Sequence, residues 1–398
     1  MNKIIAFVFI VTAFFSCNQK QNTSTINDSP VNIMAYYVPE RDYHPEQLPL
    51  NKLTHIIFSF SKVIEGEMQF RNEESGKKLQ LLVEQSERYP NLKVMIACGG
   101  WGADGFSDAA LTQESRAKFV KSAVAFIEKY QLDGMDVDWE YPGISGAGTK
   151  ARPDVDKQNF TALMKLLREE LDKLDRPQTL TFASAGWERY YTNVEMLEVL
   201  KYADFMNVMT YDQVGANNPV TAHHTAFGNV EYKDIAATPL GKMLEARKER
   251  YESRGIKFGP RSVERIIDYC ISNGADPKQL VVGAAFYGRA WKGVEPENNG
   301  LYQPNKGSYI GWSAYHQIRE KYENKNGFTR YWDELAKAPY LFNPTDSIFI
   351  SFDDTMSVKI KTRYSMDKNL GGIMFWELSN DTKEENSLLD AIFEEATR

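Results

Sequence analysis

Three carboxylates lie two residues apart inside the apolar stretch at residues 133–141, DGMDVDWEY. On a β-strand, Asp136, Asp138 and Glu140 would all point to one face, because successive side chains of a strand alternate. The apolar residues between them would point to the other face. Burial and mutual repulsion both raise the pKa of such carboxyl groups, so the stretch predicts acids that hold or share protons.

Glu140 comes last of the three, at the predicted carboxyl end of the strand. A carboxyl group next to buried like charges should have the raised pKa that a general acid requires. We therefore predict that Glu140 is a catalytic acid. A solvated acidic turn or a hydrogen-bonded core network is the structural alternative, and a divalent-cation site is disfavoured because no acidic loop follows the strand.

These acids lie in one of eight short apolar runs that alternate with helical patterns from Asn32 onward, which is typical of βα units around a parallel sheet. Helical spacing is clearest at residues 115–130, 156–174 and 262–272. Eight units favour an α/β fold of the (β/α)8 TIM barrel type, which holds catalytic groups at the carboxyl ends of its strands. No G-x-G-x-x-G opens a helix, which argues against a dinucleotide site. The predicted strands are NIMAYYV from Asn32, LTHIIFSF from Leu53, LKVMIACGG from Leu92, LDGMDVDWE from Leu132, TLTFASAG from Thr179, ADFMNVMTYD from Ala203, LVVGAAFYGR from Leu280 and GGIMFWEL from Gly371.

The connection after the seventh run is unusually long. About sixty residues separate Arg289 from a helix predicted to begin near Asp354, which is too long for a βα loop. We predict a small α+β insertion domain at residues 291–351, between strand 7 and helix 7, and a barrel at residues 32–290 and 352–398. The insertion should form one wall of the site, because βα loops surround the active site of a barrel.

The first residues have the pattern of an exported protein. Lys3 precedes an apolar run at residues 4–15 that is too short to span a membrane, and Ser16-Cys17 follows. This order resembles the cleavage site of bacterial lipoproteins and implies a signal peptide at residues 1–16, a lipidated Cys17 and a polar tether at residues 17–31. We expect a protein anchored to a membrane through Cys17, in the periplasm or at the cell surface, or a secreted one. A plain secretory signal with an incidental cysteine is the alternative.

The composition argues against several other classes of function. With 47 basic and 54 acidic residues and no lysine or arginine run, the chain is not expected to bind nucleic acid. Cys98 and Cys270 lie in apolar segments, which favours two buried free thiols. The adjacent His223 and His224 lack partners at ligand spacing, so we expect no metal and no cofactor. We expect a monomer.

The acidic stretch also carries a family resemblance. DGMDVDWEYPG, from Asp133, closely resembles the DxxDxDxE signature of glycoside hydrolase family 18, which contains chitinases and related endo-β-N-acetylglucosaminidases. Four other segments resemble strand motifs of the family in the same order, and TRYWDELAKAPYLF resembles the small domain of its deep-groove chitinases. The resemblance extends from Asn32 to the end of the chain. The four segments are CGGW from Cys98, MTYD from Met209, FYGR from Phe286 and MFWE from Met374.

The resemblance implies retaining hydrolysis of β-1,4 linkages between N-acetylglucosamine units in chitin or chitooligosaccharides, with the substrate's 2-acetamido oxygen attacking the anomeric carbon. Glu140 would protonate the leaving oxygen and then activate water. Asp138 would orient the acetamido group and share a proton with Asp136. Tyr211 would donate a hydrogen bond to the acetamido carbonyl, and Asp133 is expected to be structural.

The same resemblance, with the predicted strand ends, implies which residues bind substrate. Asp212 and Arg289 would contact sugar hydroxyls, and Trp376 would form the floor beneath the acetylated sugar. Phe58 and Tyr287 are equally compatible with core packing. The remaining predicted contacts are Tyr36, Phe58, Gly100, Trp101, Met209 and Tyr287, and further stacking positions could come from Trp187, Trp291 and Trp312.

Two other functions remain as alternatives. An endo-β-N-acetylglucosaminidase acting on glycoprotein glycans is disfavoured, because such relatives typically lack the insertion that deepens the groove. A non-catalytic sugar-binding protein on the same fold is disfavoured, because such relatives commonly lose the last glutamate of the motif, which is Glu140 here.

Overall fold

The structure is a computed structural model and describes residues 31–39, 41, 43–309 and 313–398. The predicted signal peptide, Cys17 and the tether up to residue 30 lie outside the described residues, as does Trp312. Among the residues that are described, no helix combines the length and the apolarity that a bilayer crossing requires.

Eight parallel strands close into a barrel, because β1 pairs with both β14 and β2. Around the barrel the order is β1, β2, β4, β5, β6, β7, β8 and β14, so the predicted (β/α)8 TIM barrel is confirmed. The strands of the described part are β1 (Asn32–Tyr37), β2 (His55–Ile64), β3 (Glu67–Gln69), β4 (Lys93–Gly99), β5 (Gly134–Asp138), β6 (Thr179–Ala185), β7 (Phe205–Met209), β8 (Leu280–Ala285), β9 (Tyr287–Lys292), β10 (Ser313–Ala314), β11 (Thr329–Asp333), β12 (Ala338–Asn343), β13 (Ile348–Ser351) and β14 (Gly372–Trp376).

The helices begin at residues that cap them. Thr112 forms a capping box with Ser115 at α3, Ser262 caps α10, and Asp354 caps α12, so the orphan amides of each first turn find acceptors. The three predicted helical segments correspond to α3, α4 and α10. The helices are α1 (Glu73–Ser86), α2 (Phe106–Ala109), α3 (Gln113–Tyr130), α4 (Asp156–Leu171), α5 (Glu188–Tyr191), α6 (Met196–Val199), α7 (Tyr232–Ile235), α8 (Pro239–Glu245), α9 (Lys248–Glu252), α10 (Val263–Ser272), α11 (Tyr315–Lys321), α12 (Thr355–Asp367) and α13 (Leu388–Ala396).

A second, antiparallel sheet in the order β10, β9, β13, β12, β11 lies between β8 and α12. The chain leaves the barrel at Phe286, whose amide donates to the Trp376 carbonyl at 2.9 Å, and the next residue already begins β9. The apolar run predicted as one seventh strand is therefore two strands in two sheets. The second sheet therefore begins at Tyr287, four residues before the residue at which the insertion domain was predicted to begin. That residue, 291, lies inside β9.

Trp291 belongs to the core of this small sheet. Its side chain is fully buried and lies 6.0 Å from the Phe349 ring, so the prediction that it could stack on a sugar is wrong. The two remaining cysteines are also buried: Cys98 in β4 and Cys270 in α10 are free thiols, as predicted.

The two faces of β5 differ as strand alternation predicts. Trp139 stacks on Phe106 at a centroid distance of 5.6 Å and meets Phe160 edge to face at 5.8 Å, so its face packs against α2 and α4. On the other face, Asp136 and Asp138 are 0% and 5% exposed, inside the barrel. The apolar face thus anchors the strand that carries the acids.

A buried ion pair connects the barrel to α12. Lys361 Nζ donates to Asp353 Oδ2 at 2.6 Å, and both side chains are fully buried. Asp353 also accepts hydrogen bonds from Thr225 Oγ1 and from the Ala285 amide, each at 2.9 Å. The carboxylate therefore joins the end of β8, the loop after β7 and α12.

We expect Lys361→Met to lower the free energy of unfolding by about 3–5 kcal/mol, because it leaves the Asp353 carboxylate buried without its cation. Lys359→Met, two residues away, removes a 3.0 Å pair with Glu394 that is partly exposed, and should cost about 1 kcal/mol or less. Urea unfolding midpoints of the two variants make the comparison. Similar small losses for both would show that the buried pair is not a structural anchor.

Candidate active site

Asp136 lies deepest in the site and is held by three strands. Its carboxylate accepts hydrogen bonds from Tyr36 on β1 at 2.9 Å, from Thr181 on β6 at 2.6 Å and from Asn207 on β7 at 3.2 Å. Burial raises the pKa of Asp136 to about 6, and these three donors partly oppose the rise. The network fixes the carboxylate while keeping its pKa within the physiological range.

Asp138 is the next acid along β5. Its Oδ1 is buried and has no hydrogen-bond partner among the described residues. Burial, then the charges of Glu140 and Asp136, raise the pKa of Asp138 well above its usual value. The three acids should therefore titrate as a coupled set that holds protons at neutral pH.

Glu140 lies two residues beyond the end of β5, at the carboxyl end of the barrel. Its side chain is 8% exposed and lines the cavity. Burial raises the pKa of Glu140 to about 7, while a hydrogen bond from Tyr141 and the charge of Lys62 oppose the rise and Asp212 adds to it. A carboxyl group with this pKa can donate a proton near neutral pH and accept it back.

The cavity above these acids has a volume of about 990 Å³. Trp376 lines it, with its ring stacked on that of Phe60 at a centroid distance of 5.4 Å and tilted against that of Tyr36 at 5.8 Å. Trp101 is 64% exposed at the rim and lies 6.3 Å from Tyr141. Flat aromatic faces beside carboxyl groups suit the apolar faces and the hydroxyls of sugar rings. The aromatic residues of the lining are Tyr36, Phe60, Trp101, Tyr141, Trp187, Tyr211, Tyr251, Tyr287 and Trp376.

The prediction for Phe58 is wrong. Its side chain is fully buried in the core outside the barrel, edge to face with Tyr37 at 6.0 Å and with Phe70 at 5.7 Å. The pairing of β2 with β4 shifts register between Ser59 and Ser61. Such an irregularity turns the following side chain to the other face, which places Phe60 in the cavity.

Gly100 has a supporting position and does not line the cavity. Its amide donates to the Asp138 carbonyl at 2.9 Å, and its φ of 87° suits glycine. A Cβ atom here would lie 2.7 Å from the Phe60 ring. The glycine therefore leaves space for the Phe60 ring, and the predicted direct contact with substrate is replaced by this indirect role.

Asp212 and Arg289 form a bidentate ion pair, with both N···O distances at 2.8 Å. His224 Nδ1 lies 3.6 Å from the same carboxylate. Although burial acts to raise it, the pKa of Asp212 is held well below its usual range by His224 and Arg289. The site therefore contains one ionised carboxylate beside the proton-holding set. Arg289 reaches the cavity from β9, so the small sheet contributes a side chain to the site.

The other predicted residues also reach the cavity. Tyr211 is 8% exposed, with its hydroxyl 3.9 Å from Met374 Sδ and its ring 6.0 Å from that of Tyr287. Met209 and Tyr287 line the same space. Asp133 lies at the opposite end of β5, where its carboxylate accepts from the Val94 amide at 2.8 Å, in agreement with the structural role expected for it.

Sequence reasoning missed several residues of the site, and four of them bear directly on its acids and its aromatic lining. Thr181 and Asn207 hold Asp136, and each is a polar residue inside an apolar strand, a signal that the sequence displays. Phe60 could not be predicted without the register shift in β2. Lys62 lines the cavity, and its Nζ donates a hydrogen bond to the Gly99 carbonyl. Its positive charge acts to lower the pKa of both Asp138 and Glu140. Within the described residues, no cluster of three or more His, Cys, Asp or Glu side chains could hold a metal ion.

Comparison with known proteins agrees with this geometry. Residues 32–381 match the family described as glycosyl hydrolases family 18, which covers more than half of the chain. The chain belongs to glycosyl hydrolase family 18. The acids of β5, the aromatic lining and the small sheet after β8 are thus those of a family 18 protein.

Individual relatives are consistent with the family. Chitinase A1 of Niallia circulans is 39% identical over 304 residues, which are 73% of this chain but only 41% of that protein. A family 18 N-acetylglucosaminidase from Paenibacillus barengoltzii is 36% identical, with a TM-score of 0.78, and covers 92% of this chain and 99% of its own. The group IV chitinase of Ostrinia furnacalis, solved in complex with allosamidin, is 27% identical, has a TM-score of 0.78 and covers 91% and 97%.

Proposed function

We propose that this family 18 protein is a chitinase, an enzyme that hydrolyses β-1,4 linkages between N-acetylglucosamine units of chitin or chitooligosaccharides. The observation that carries the proposal is the position of Glu140, a buried carboxyl group with a raised pKa, beside Asp138 in an aromatic-lined cavity. The names of two relatives, chitinase A1 and the group IV chitinase, support the same substrate.

Glu140 is the proton donor of the proposed reaction. It protonates the glycosidic oxygen while the substrate's acetamido oxygen forms a bond to the anomeric carbon, which breaks the bond to the leaving sugar. The product of this step is an oxazolinium ion. Water then attacks the anomeric carbon, Glu140 takes back a proton, and the sugar is released with its anomeric configuration retained.

Asp138 orients the nucleophile in this scheme. Its unpartnered Oδ1 is a buried polar atom that the acetamido N–H of a substrate would satisfy. Asp136, whose pKa burial raises to about 6, can take up a proton shared with Asp138, so Asp138 becomes more negative as the oxazolinium charge develops. Tyr211, at the side of the cavity, supplies a hydroxyl for the acetamido carbonyl.

The proposal is tested by incubating the protein with a hexamer of N-acetylglucosamine. Shorter oligomers should appear with the β-anomer first, as NMR spectra recorded during the reaction would show. Dimers and trimers would indicate cleavage within the chain, whereas monomers alone would indicate removal of terminal units, the activity named for the Paenibacillus barengoltzii relative. Binding without any cleavage would contradict the proposal and favour a sugar-binding protein.

The pH dependence should reflect the state of Glu140. Because the acid acts in its protonated form and its pKa is about 7, kcat/KM should fall about tenfold per pH unit above about pH 7. Lys62→Met should move this descending limb to higher pH, because the removed cation favours the carboxylate. Lys118→Met, on the outer helix α3, should leave the profile in place. Rates on a soluble oligomer from pH 5 to 9 provide the measurement, and a flat profile across this range would rule out Glu140 as the titrating acid.

We also propose that the mature chain begins at Cys17 and partitions with membranes through acyl chains, on the basis of the Ser16-Cys17 pattern. Cys17→Ser should release the protein into the soluble fraction of the native host. A chain that fractionates alike with either residue would instead indicate a plain secretory signal.

A further inference from the structure

One side of the cavity carries a concentration of positive charge that the proposed reaction does not use. The side chains come from the connections after β6 and β7, whereas Trp101, Phe60 and Trp376 come from β2, β4 and β14 and the loops after them. This arginine wall consists of Arg189, Arg247, Arg250, Arg254 and Arg261.

No arginine of the wall forms an ion pair within the described residues. Arg265 and Arg289, which also line the cavity, pair with Glu188 at 2.6 Å and Asp212 at 2.8 Å. None of the five arginines of the wall has a carboxylate within 4.0 Å in the part of the chain that the structure describes. The acidic residues near α9, which are Glu245, Glu249 and Glu252, do not line the cavity.

The arginine wall is continuous with the catalytic acid. The Arg261 guanidinium lies 5.7 Å from the Trp187 ring, and Trp187 lies 5.5 Å from the ring of Tyr141, the neighbour of Glu140. Arg261 Nη1 also donates to the Gln213 carbonyl at 3.4 Å, next to Asp212. A sugar chain that passes Glu140 on this side therefore meets the guanidinium groups.

The five guanidinium groups repel one another, and water and salt screen this repulsion only in part, chiefly at the four exposed arginines, so an anion at the wall would be attracted. N-acetylglucosamine rings are uncharged, so a neutral polymer leaves this charge uncompensated. Guanidinium groups match carboxylates in a bidentate geometry, and they keep their charge at every pH at which proteins are stable. The chain as a whole has a net charge of −7, so the wall is a local feature that opposes the overall charge.

We propose that the arginine wall binds carboxylate groups carried by the substrate, and that the preferred substrate is an N-acetylglucosamine polymer with acidic substituents. This inference rests on the proposed function, since it names the substrate class of the same cavity. The carboxylates occupy sugar units to the side of the scissile bond, while the acetylated sugar beside Glu140 stays neutral.

A comparison of two soluble polymers tests whether the enzyme prefers an acidic substrate to a neutral one. Carboxymethyl chitin carries carboxylates, and glycol chitin carries neutral hydroxyethyl groups through the same kind of ether. At low ionic strength, kcat/KM should be about tenfold higher on carboxymethyl chitin of equal length and degree of substitution, and the ratio should approach one as salt screens the charges.

The combined substitutions Arg247→Gln, Arg250→Gln and Arg254→Gln should bring the ratio of the two kcat/KM values close to one at low salt. The matched control removes three cations from the region of the outer helices α1 and α3 and should keep the ratio. A control that loses the ratio equally would show general attraction and overturn the proposal. The control substitutions are Arg88→Gln, Lys121→Gln and Lys129→Gln.

Binding of the two polymers to the Glu140→Gln variant, measured without cleavage, distinguishes a failure of this inference from a failure of the proposed function. Tighter binding of carboxymethyl chitin than of glycol chitin, lost with the three arginines, supports the arginine wall even if neither polymer is cleaved by the wild type. Equal binding of both polymers at low salt overturns the wall as a carboxylate site, even if both are cleaved.

Discussion

Glu140→Gln is expected to lower kcat on soluble N-acetylglucosamine oligomers by about 10²- to 10⁴-fold. The amide keeps the size and the hydrogen-bonding reach of the side chain but cannot donate a proton to the leaving oxygen or accept one from water. The buried charge that Glu140 places beside Asp138 is also removed, so substrate affinity should be retained or increased. Steady-state rates and equilibrium binding of the hexamer measure the two effects separately.

Asp133→Asn is the matched control from the same acidic stretch. Asp133 lies at the opposite end of β5, on the Val94 amide and 3.4 Å from Arg176, so its loss should affect stability far more than kcat. Retention of more than a tenth of wild-type kcat by Glu140→Gln, with Asp133→Asn impaired more strongly, would contradict the assignment of the acid.

The positions of these acids could be predicted because β5 is regular. Alternation over five residues, with Met135 and Val137 buried on one face, places Asp136 and Asp138 on the other. The same rule fails on β2 after Phe58, because alternation would place Phe60 on the outer face with Phe58, whereas the register shift between Ser59 and Ser61 turns Phe60 into the cavity. A bulge of this kind depends on pairing with β4 and leaves no mark in the hydrophobic pattern of β2 alone.

The path of the chain after β8 could not be predicted from the sequence pattern either. The run from Leu280 is continuously apolar through Tyr287 because both sheets bury it, so periodicity does not show that the chain changes sheets at Phe286. Trp291 illustrates the consequence. Its position in the small core, against Phe349, could be known only once β9 had been paired with β13.

The arginine wall was even harder to predict from the sequence than the path of the chain. Arg189 follows β6, Arg261 precedes α10, and between them Arg247, Arg250 and Arg254 are interspersed with glutamates, so no basic run appears. In the folded chain these arginines line the cavity, whereas the neighbouring Glu245, Glu249 and Glu252 do not. The acids of β5 form a local motif and were predictable, whereas the arginine wall is built by loops that only the folded barrel brings together.

A fully deacetylated glucosamine oligomer should be hydrolysed more slowly than the acetylated one by several orders of magnitude. If the acetamido oxygen is the nucleophile, the deacetylated substrate has none, and it forfeits most of the intramolecular advantage of roughly 7 to 11 kcal/mol. The comparison requires oligomers of the same length at saturating concentration, so that weaker binding of glucosamine does not contribute to the measured difference.

Asp138 is the competing nucleophile, since it lies beside Glu140 with one unpartnered oxygen. The raised pKa of Asp138 argues against it, because a carboxyl group that holds a proton is a poor nucleophile, whereas it can donate to Asp136 and orient an N–H. Asp138→Asn should therefore be less active than the wild type but more active than Glu140→Gln, as it removes the orientation and charge compensation of the acetamido group and leaves the nucleophile in place. A glycosyl ester trapped on Asp138, or rapid cleavage of the deacetylated oligomer, would assign the attack to the enzyme, even with the fold and the sugar specificity unchanged.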